Sequence, residues 1–186
     1  MPPTSTVTPL PLIIAVAATL TFAACSATPA SDAAHAANLA AAPAIDSAQN
    51  EAAARHAKVA YLAGINSNDL EQFLATISDD VVYVAPNAAA IVGKEAVTAW
   101  VRDYMAAYHT RWEKETKEFV VRGDLAFEHY RYHSVDTPRA DGPAKGTPVV
   151  ADSGNGFNIY RRGADGAWKL ARDAWATERP LPPAGQ

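Results

Sequence analysis

The chain has 186 residues, enough for one domain with tails, and 49% hydrophobic against 19% charged residues is a globular balance. A formal net charge of −4, from 16 basic and 20 acidic side chains, leaves no basic stripe of the kind nucleic acid requires. The one cysteine excludes an internal disulfide, so stability has to come from the core.

The chain opens on LPLIIAVAATLTFAAC (residues 10–25), an uncharged apolar run of signal-peptide length, too short for a comfortable membrane span. The stretch FAAC resembles the lipobox of bacterial lipoproteins. That likeness implies removal of residues 1–24, lipidation of Cys25 and a membrane partner through that anchor. Ordinary signal cleavage, giving a periplasmic or secreted protein, is the alternative; both place the protein outside the cytoplasm, in the bacterial cell envelope or beyond. Residues 25–44 are Ala/Ser/Pro-rich with little to bury, and read as a disordered tether with a reach of roughly 25 Å. Residues 180–186 read as a tail, which leaves 45–179 as the working domain.

Within it, AIDSAQNEAAARHAKVAYLAGINSN spaces Ile45, Ala48, Ala52, Val59, Leu62 and Ile65 as the apolar face of an amphipathic helix. NDLEQFLATI predicts a short second helix, capped by Asn68 with Glu71 completing a capping box. DDVVYVAP predicts a strand stopped by Pro86, and AAIVG a brief extended piece broken by Gly93. KEAVTAWVRDYMAAYH predicts a third helix, with His109 at its C-terminus, where an imidazolium favours the helix dipole. The apolar period then falls to two. Four strands are expected: RWEKETKEFVVR, DLAFEHYRYHSVD, VVADSGNGFNIYRR and AWKLARDAWATE. Turns at Gly123-Asp124 and Gly163–Gly166 join two hairpins, and the Pro/Gly-rich TPRADGPAKGTP is a longer loop. Helices followed by an antiparallel meander make an α+β chain.

That order, with GKEAV (93–97), GDLA (123–126) and above all the closing hairpin YRRGADGAWKLARDAW, resembles the SnoaL-like and ketosteroid-isomerase-like domains of the nuclear transport factor 2-like superfamily, in a secreted bacterial branch. The resemblance implies a cone: three N-terminal helices packed on a strongly curved, mostly antiparallel sheet, with an apolar pocket on its concave face. It implies a protein that binds a small, partly apolar molecule there. Two alternatives stay open: a cofactor-free isomerase, cyclase or hydrolase using a pocket carboxylate, and a homodimeric assembly module without catalysis. No cofactor is expected.

Alternation along the last strand sets Trp168, Leu170, Arg172 and Ala174 on one face and Lys169, Ala171, Asp173 and Trp175 on the other. Trp168 and Leu170 read as core, which turns Arg172 inward. A buried guanidinium is costly unless paired, so Arg172 is expected to meet Glu128 or Asp152. Such a pair either anchors an anionic or carbonyl ligand or ties neighbouring strands together. Asp173 and Trp175 then fall on the outer face, as sheet surface or homodimer interface. Proton transfer would use Asp152 or Glu128 as base, with Tyr83, Tyr104 or Tyr130 donating a hydrogen bond. Tyr83, Trp100, Tyr104, Tyr130 and Arg172 are the expected ligand contacts, although Trp100, Tyr104 and Tyr108 at helical spacing also read as core. His129 and His133 lie roughly 13 Å apart on a strand, too far for one metal ion, and no metal site is expected. Gly154-Asn155-Gly156 reads as a bulge, and a one-residue slip there would exchange the two faces.

Overall fold

A computed structural model describes residues 47–180. Three helices, α1 (Ser47–Ser67), α2 (Leu70–Leu74) and α3 (Lys94–Ala107), accompany six strands. The strands are β1 (Ile77–Val84), β2 (Ile91–Val92), β3 (Tyr108–Arg122), β4 (Leu125–Pro138), β5 (Val150–Arg162) and β6 (Trp168–Thr177). They form one open sheet in the order β2-β1-β6-β5-β4-β3, antiparallel throughout except where β1 runs parallel to β6. Helices on one face of a mostly antiparallel sheet give the expected α+β architecture.

The core lies between the helices and the concave sheet face, and joins Ala54, Tyr61, Phe73, Val81, Val97, Val101, Tyr160 and Leu170. Helix α1 buries a different stripe from the one its apolar residues suggest. Ala54, Ala57, Tyr61 and Gly64 face the core, whereas Ala52 and Val59 face solvent. Small residues at three of those four places let the helix approach closely, and Tyr61 is the one large side chain it inserts. Ile45 lies outside the described residues.

Asn68 does not cap α2. Asp69 does, accepting a 3.0 Å bond from the Gln72 amide, while Asn68 adopts a left-handed φ of 54°. Its side chain pairs instead with the Thr110 backbone, donating to the carbonyl at 2.9 Å and accepting from the amide at 2.8 Å. Asn66 treats Trp112 identically, at 2.9 and 2.7 Å. Two carboxamides thus imitate a strand along the free edge of β3, where unpaired backbone groups would otherwise invite aggregation. They also clip the end of α1 to the sheet. His109, expected as a helix terminus, is an exposed residue of β3.

On β6 the simple alternation fails. Tyr160 pairs with Leu170 and Ile159 with Arg172, so Ala171 is an extra residue opposite none. This bulge exchanges the faces beyond it. Trp168 and Leu170 point into the core as expected; past Ala171 it is Asp173 and Trp175 that point inward. The expected inward Arg172 is corrected accordingly: its guanidinium meets neither Glu128 nor Asp152. It donates to the carbonyls of Asp80 (2.9 Å) and Ala171 (2.6 Å), and lies 3.7 Å from the Asp80 carboxylate. Arg161 bonds the same carboxylate. That hydrogen bond, more than the charge of Arg172, lowers the Asp80 pKa from 3.8 to about 2.

Gly154-Asn155-Gly156 is not a bulge, since β4 and β5 stay in register from Leu125–Arg161 to Asp136–Val150. The glycines create room. Tyr130 lies opposite Gly156 and Tyr132 opposite Gly154. A Cβ on Gly156 would lie 2.3 Å from the Tyr130 ring and hydroxyl, and one on Gly154 2.9 Å from the Tyr132 ring. Both tyrosines therefore reach across β5 toward β6.

Gly156→Ala sets a strand-propensity gain of about 0.5–1 kcal/mol against an overpacking cost of about 1–3 kcal/mol. Because the clash is with a buried ring, the cost wins, and urea unfolding will show net destabilisation; unchanged stability would refute the crossing of Tyr130 over β5. Asp80 gives a pH signature. Its folded pKa is depressed, so its contribution is present above the unfolded pKa near 3.8 and is lost as pH falls toward about 2. Asp80→Asn should flatten the acid limb of the stability–pH curve in that window, and parallel acid limbs would refute the assignment.

Candidate functional site

A cavity of about 310 Å³ opens between α1, α3 and the concave face. Its wall is aromatic: Tyr83, Trp100, Trp112 and Trp175 all line it. Trp175 meets Tyr83 edge-on at 5.9 Å and Trp112 edge-on at 6.4 Å between centroids, and Trp100 at 6.5 Å. Tyr104 stacks on Trp100 at 5.4 Å. Trp175, expected on the outer face as interface material, is instead the centre of this wall.

Asp173 lines the cavity and is only 4% exposed. Tyr61 donates to its Oδ2 at 2.6 Å and Tyr130 to its Oδ1 at 2.9 Å. The Tyr61 and Tyr83 hydroxyls are 2.6 Å apart. Since Tyr61 spends its one proton on Asp173, Tyr83 must donate to Tyr61, which makes a directed chain from Tyr83 through Tyr61 to the carboxylate. Burial first, and the Asp173 charge second, push Tyr61, Tyr83 and Tyr130 well above the usual phenol range. All three are neutral donors at physiological pH. A carboxylate offers about four acceptor positions, so Asp173 keeps acceptor capacity beyond its two hydroxyl partners.

Lys114 stands behind this cluster. Its Nζ is buried without a hydrogen-bond partner among the described residues, 3.9 Å from the centroid of Tyr130 and 4.9 Å from that of Tyr61. Burial lowers its pKa, and the nearby charges of Asp173 and Glu128 oppose that shift.

The residues expected from sequence separate clearly. Tyr83, Trp100 and Tyr104 line the cavity, and Tyr130 holds Asp173 from beneath. Asp152 also lines it, near the mouth. There it accepts bonds from Tyr132 (3.0 Å) and Thr177 (2.6 Å) and faces Arg179 at 3.7 Å. Glu128 is 1% exposed and does not line the cavity. Thr116 (2.7 Å), Tyr160 (3.1 Å) and Asn158 (3.3 Å) donate to it within the core. Arg172 lies outside the lining altogether. The residues that sequence reading missed are Asp173, hidden by the bulge, and Tyr61, hidden in an alanine-rich helix. No group of His, Cys, Asp and Glu suited to a metal ion occurs among the described residues, and Cys25 lies outside them.

Comparison with known proteins agrees with this architecture. The family model for the SnoaL-like domain matches residues 59–171, more than half of the chain. A ketosteroid isomerase-like protein from Erwinia carotovora atroseptica is 27% identical, with a TM-score of 0.60 over 69% of this chain and 96% of that one. A nuclear transport factor 2-like superfamily protein from Salmonella enterica is 11% identical, with a TM-score of 0.61 over 76% and 99%. A putative dehydratase of the same superfamily from Streptomyces avermitilis is 17% identical, with a TM-score of 0.58 over 71% and 99%. No curated protein matches the chain. The family match stops two residues short of Asp173, so it supports the scaffold and leaves the site to its geometry. The chain belongs to the SnoaL-like domain family.

Proposed function

We propose that the protein binds a small, partly apolar molecule in the aromatic cavity, with Asp173 as its polar anchor. The observation that carries this reading is a carboxylate 4% exposed, facing an aromatic cavity, and held only by neutral hydroxyls. Among the described residues no Lys, Arg or His forms an ion pair with it. Its acceptor strength is therefore available to a ligand. The cavity, about 310 Å³, is at the small end of the range of about 300–1,000 Å³ for ligand sites. One or two fused rings fill it.

A second reading is acid–base catalysis at the same carboxylate, in an isomerase, cyclase or hydrolase without cofactor. The feature that favours it is the chain Tyr83–Tyr61–Asp173. A proton taken by Asp173 from a bound molecule stays in a hydroxyl network that already reaches the cavity wall at Tyr83. Neither Asp152, committed to Tyr132, Thr177 and Arg179, nor sealed Glu128 is as well placed for that role.

We also propose export and anchoring through Cys25, on the strength of the apolar run and FAAC. Expressed in a bacterial host, the wild type should fractionate with membranes and Cys25→Ser should be soluble; a wild type that is itself soluble would end that reading.

The binding proposal is tested with 2-naphthol, whose hydroxyl donates to a carboxylate and whose rings fit the wall. Saturable quenching of tryptophan fluorescence is expected. A folded Asp173→Asn variant should bind about tenfold or more weakly, the scale of a hydrogen bond to a charged acceptor. Glu128→Gln should change affinity by less than about twofold, because Glu128 does not reach the cavity. Absence of saturable quenching, or undiminished binding to Asp173→Asn, would sink the proposal.

A further inference from the structure

The charges around the cavity are unbalanced. Three carboxylates line it, Asp136, Asp152 and Asp173, against one cation, Arg179. Counting the buried groups behind adds Glu128 and Lys114, which gives four acids and two bases and a formal excess of two negative charges. The carboxylates are held mainly by hydroxyls, which satisfy hydrogen bonds without cancelling charge. Asp136 accepts from Thr110 at 2.6 Å and has no ion pair among the described residues; Asp173 is held by Tyr61 and Tyr130. Arg179 does not reverse the sign, because it is committed to Asp152 at 3.7 Å and to the Ala151 carbonyl at 3.0 Å, with its side chain 51% exposed to screening solvent.

The rings point the same way. Aromatic faces attract cations, most strongly where both partners are desolvated. Lys114 already occupies faces of Tyr61, Trp112 and Tyr130. Tyr83, Trp100, Tyr104 and Trp175 contact one another but bear no protein cation among the described residues. An aromatic wall that bears no protein cation, beside carboxylates at Asp173 and Asp136 that form no ion pair among the described residues, is complementary to an organic cation. A neutral hydrocarbon would leave the negative excess unmatched, and an anion would oppose it.

We propose that the ligand of this cavity is a small, partly apolar organic cation, a protonated or quaternary amine whose charge faces Asp173 while its apolar part lies against Trp100 and Trp175. This rests on the binding reading above and specifies its ligand class.

The test compares three probes of one shape on the wild-type protein by calorimetry and tryptophan quenching: benzyltrimethylammonium, its uncharged isostere neopentylbenzene, and phenylmethanesulfonate. Expected is a preference for the cation over the neutral isostere of about tenfold or more, with the anion weakest. Asp173→Asn, nearly isosteric and checked for an unchanged melting curve, should shrink the cation's preference over neopentylbenzene; a folded variant that keeps the full preference would overturn the inference. If the neutral probe equals the cation, or the anion binds most tightly, while 2-naphthol still binds, the cation inference falls and the cavity reading stands. If none of the four probes binds, the cavity reading falls and the inference goes with it.

Discussion

Much of this structure is arranged around one costly act, the burial of the Asp173 carboxylate. Removing such a charge from water costs on the order of several kcal/mol even after relaxation, and each hydroxyl donated to it recovers about 1.5–3 kcal/mol. Two donors are therefore needed, and they come from distant parts of the chain: Tyr61 from α1 and Tyr130 from β4. Each depends on a further device. Tyr130 can cross β5 because Gly156 has no side chain. Tyr61 arrives on a helix whose neighbouring inward residues are small, and whose end is clipped to β3 by Asn66 and Asn68.

The same cost explains the buried polar layer behind the cavity. Glu128 has its own three neutral donors from Thr116, Asn158 and Tyr160, and Lys114 supplies positive charge to both carboxylates without bonding either. An ammonium over the Tyr130 ring polarises the ring whose hydroxyl holds Asp173, so the cation acts through the aromatic group. This layer makes the centre of the concave face polar. It also separates the two carboxylates that sequence reading treated alike. Glu128 is sealed into the scaffold, and Asp152 belongs to the mouth.

The helices, the antiparallel meander and its hairpins were legible because they follow from periodicity and from Gly and Asp at turns, which act locally, whereas the parallel pairing of β1 with β6 was not read. The face of β6 was not legible. Trp168 and Leu170 were correctly placed, and the error enters at Ala171, where Leu-Ala-Arg-Asp contains no Gly, Pro or other local mark of a bulge. The extra residue is fixed by pairing with β5 and β1, a long-range demand that alternation within one strand cannot express. Gly154 and Gly156 were noticed but assigned the bulge, when their purpose was space for tyrosines on the next strand. On α1, alanine at so many positions blurred the buried stripe, and Tyr61 fell outside the face drawn through Val59, Leu62 and Ile65. Asn68 shows a related limit. Its capping box was locally plausible, but the edge of β3 offered it two backbone bonds.

The position of Ala171 has a chemical consequence beyond geometry. Had β6 alternated without interruption, Arg172 would have faced inward where Asp173 now does. The lining would then hold two carboxylates, Asp136 and Asp152, against two guanidiniums, Arg172 and Arg179. Such a cavity would be electrically closed and best suited to a neutral or anionic guest. With the bulge it holds three carboxylates against one guanidinium, and the deepest of them is held by hydroxyls alone. Arg172 is meanwhile diverted to Asp80 on the outside, where water screens it. One inserted residue thus sets the sign of the field inside the pocket while leaving the sheet order, the core and the family resemblance untouched. Under the binding reading proposed above, a register change of this kind shifts which ligand the pocket favours without altering the fold.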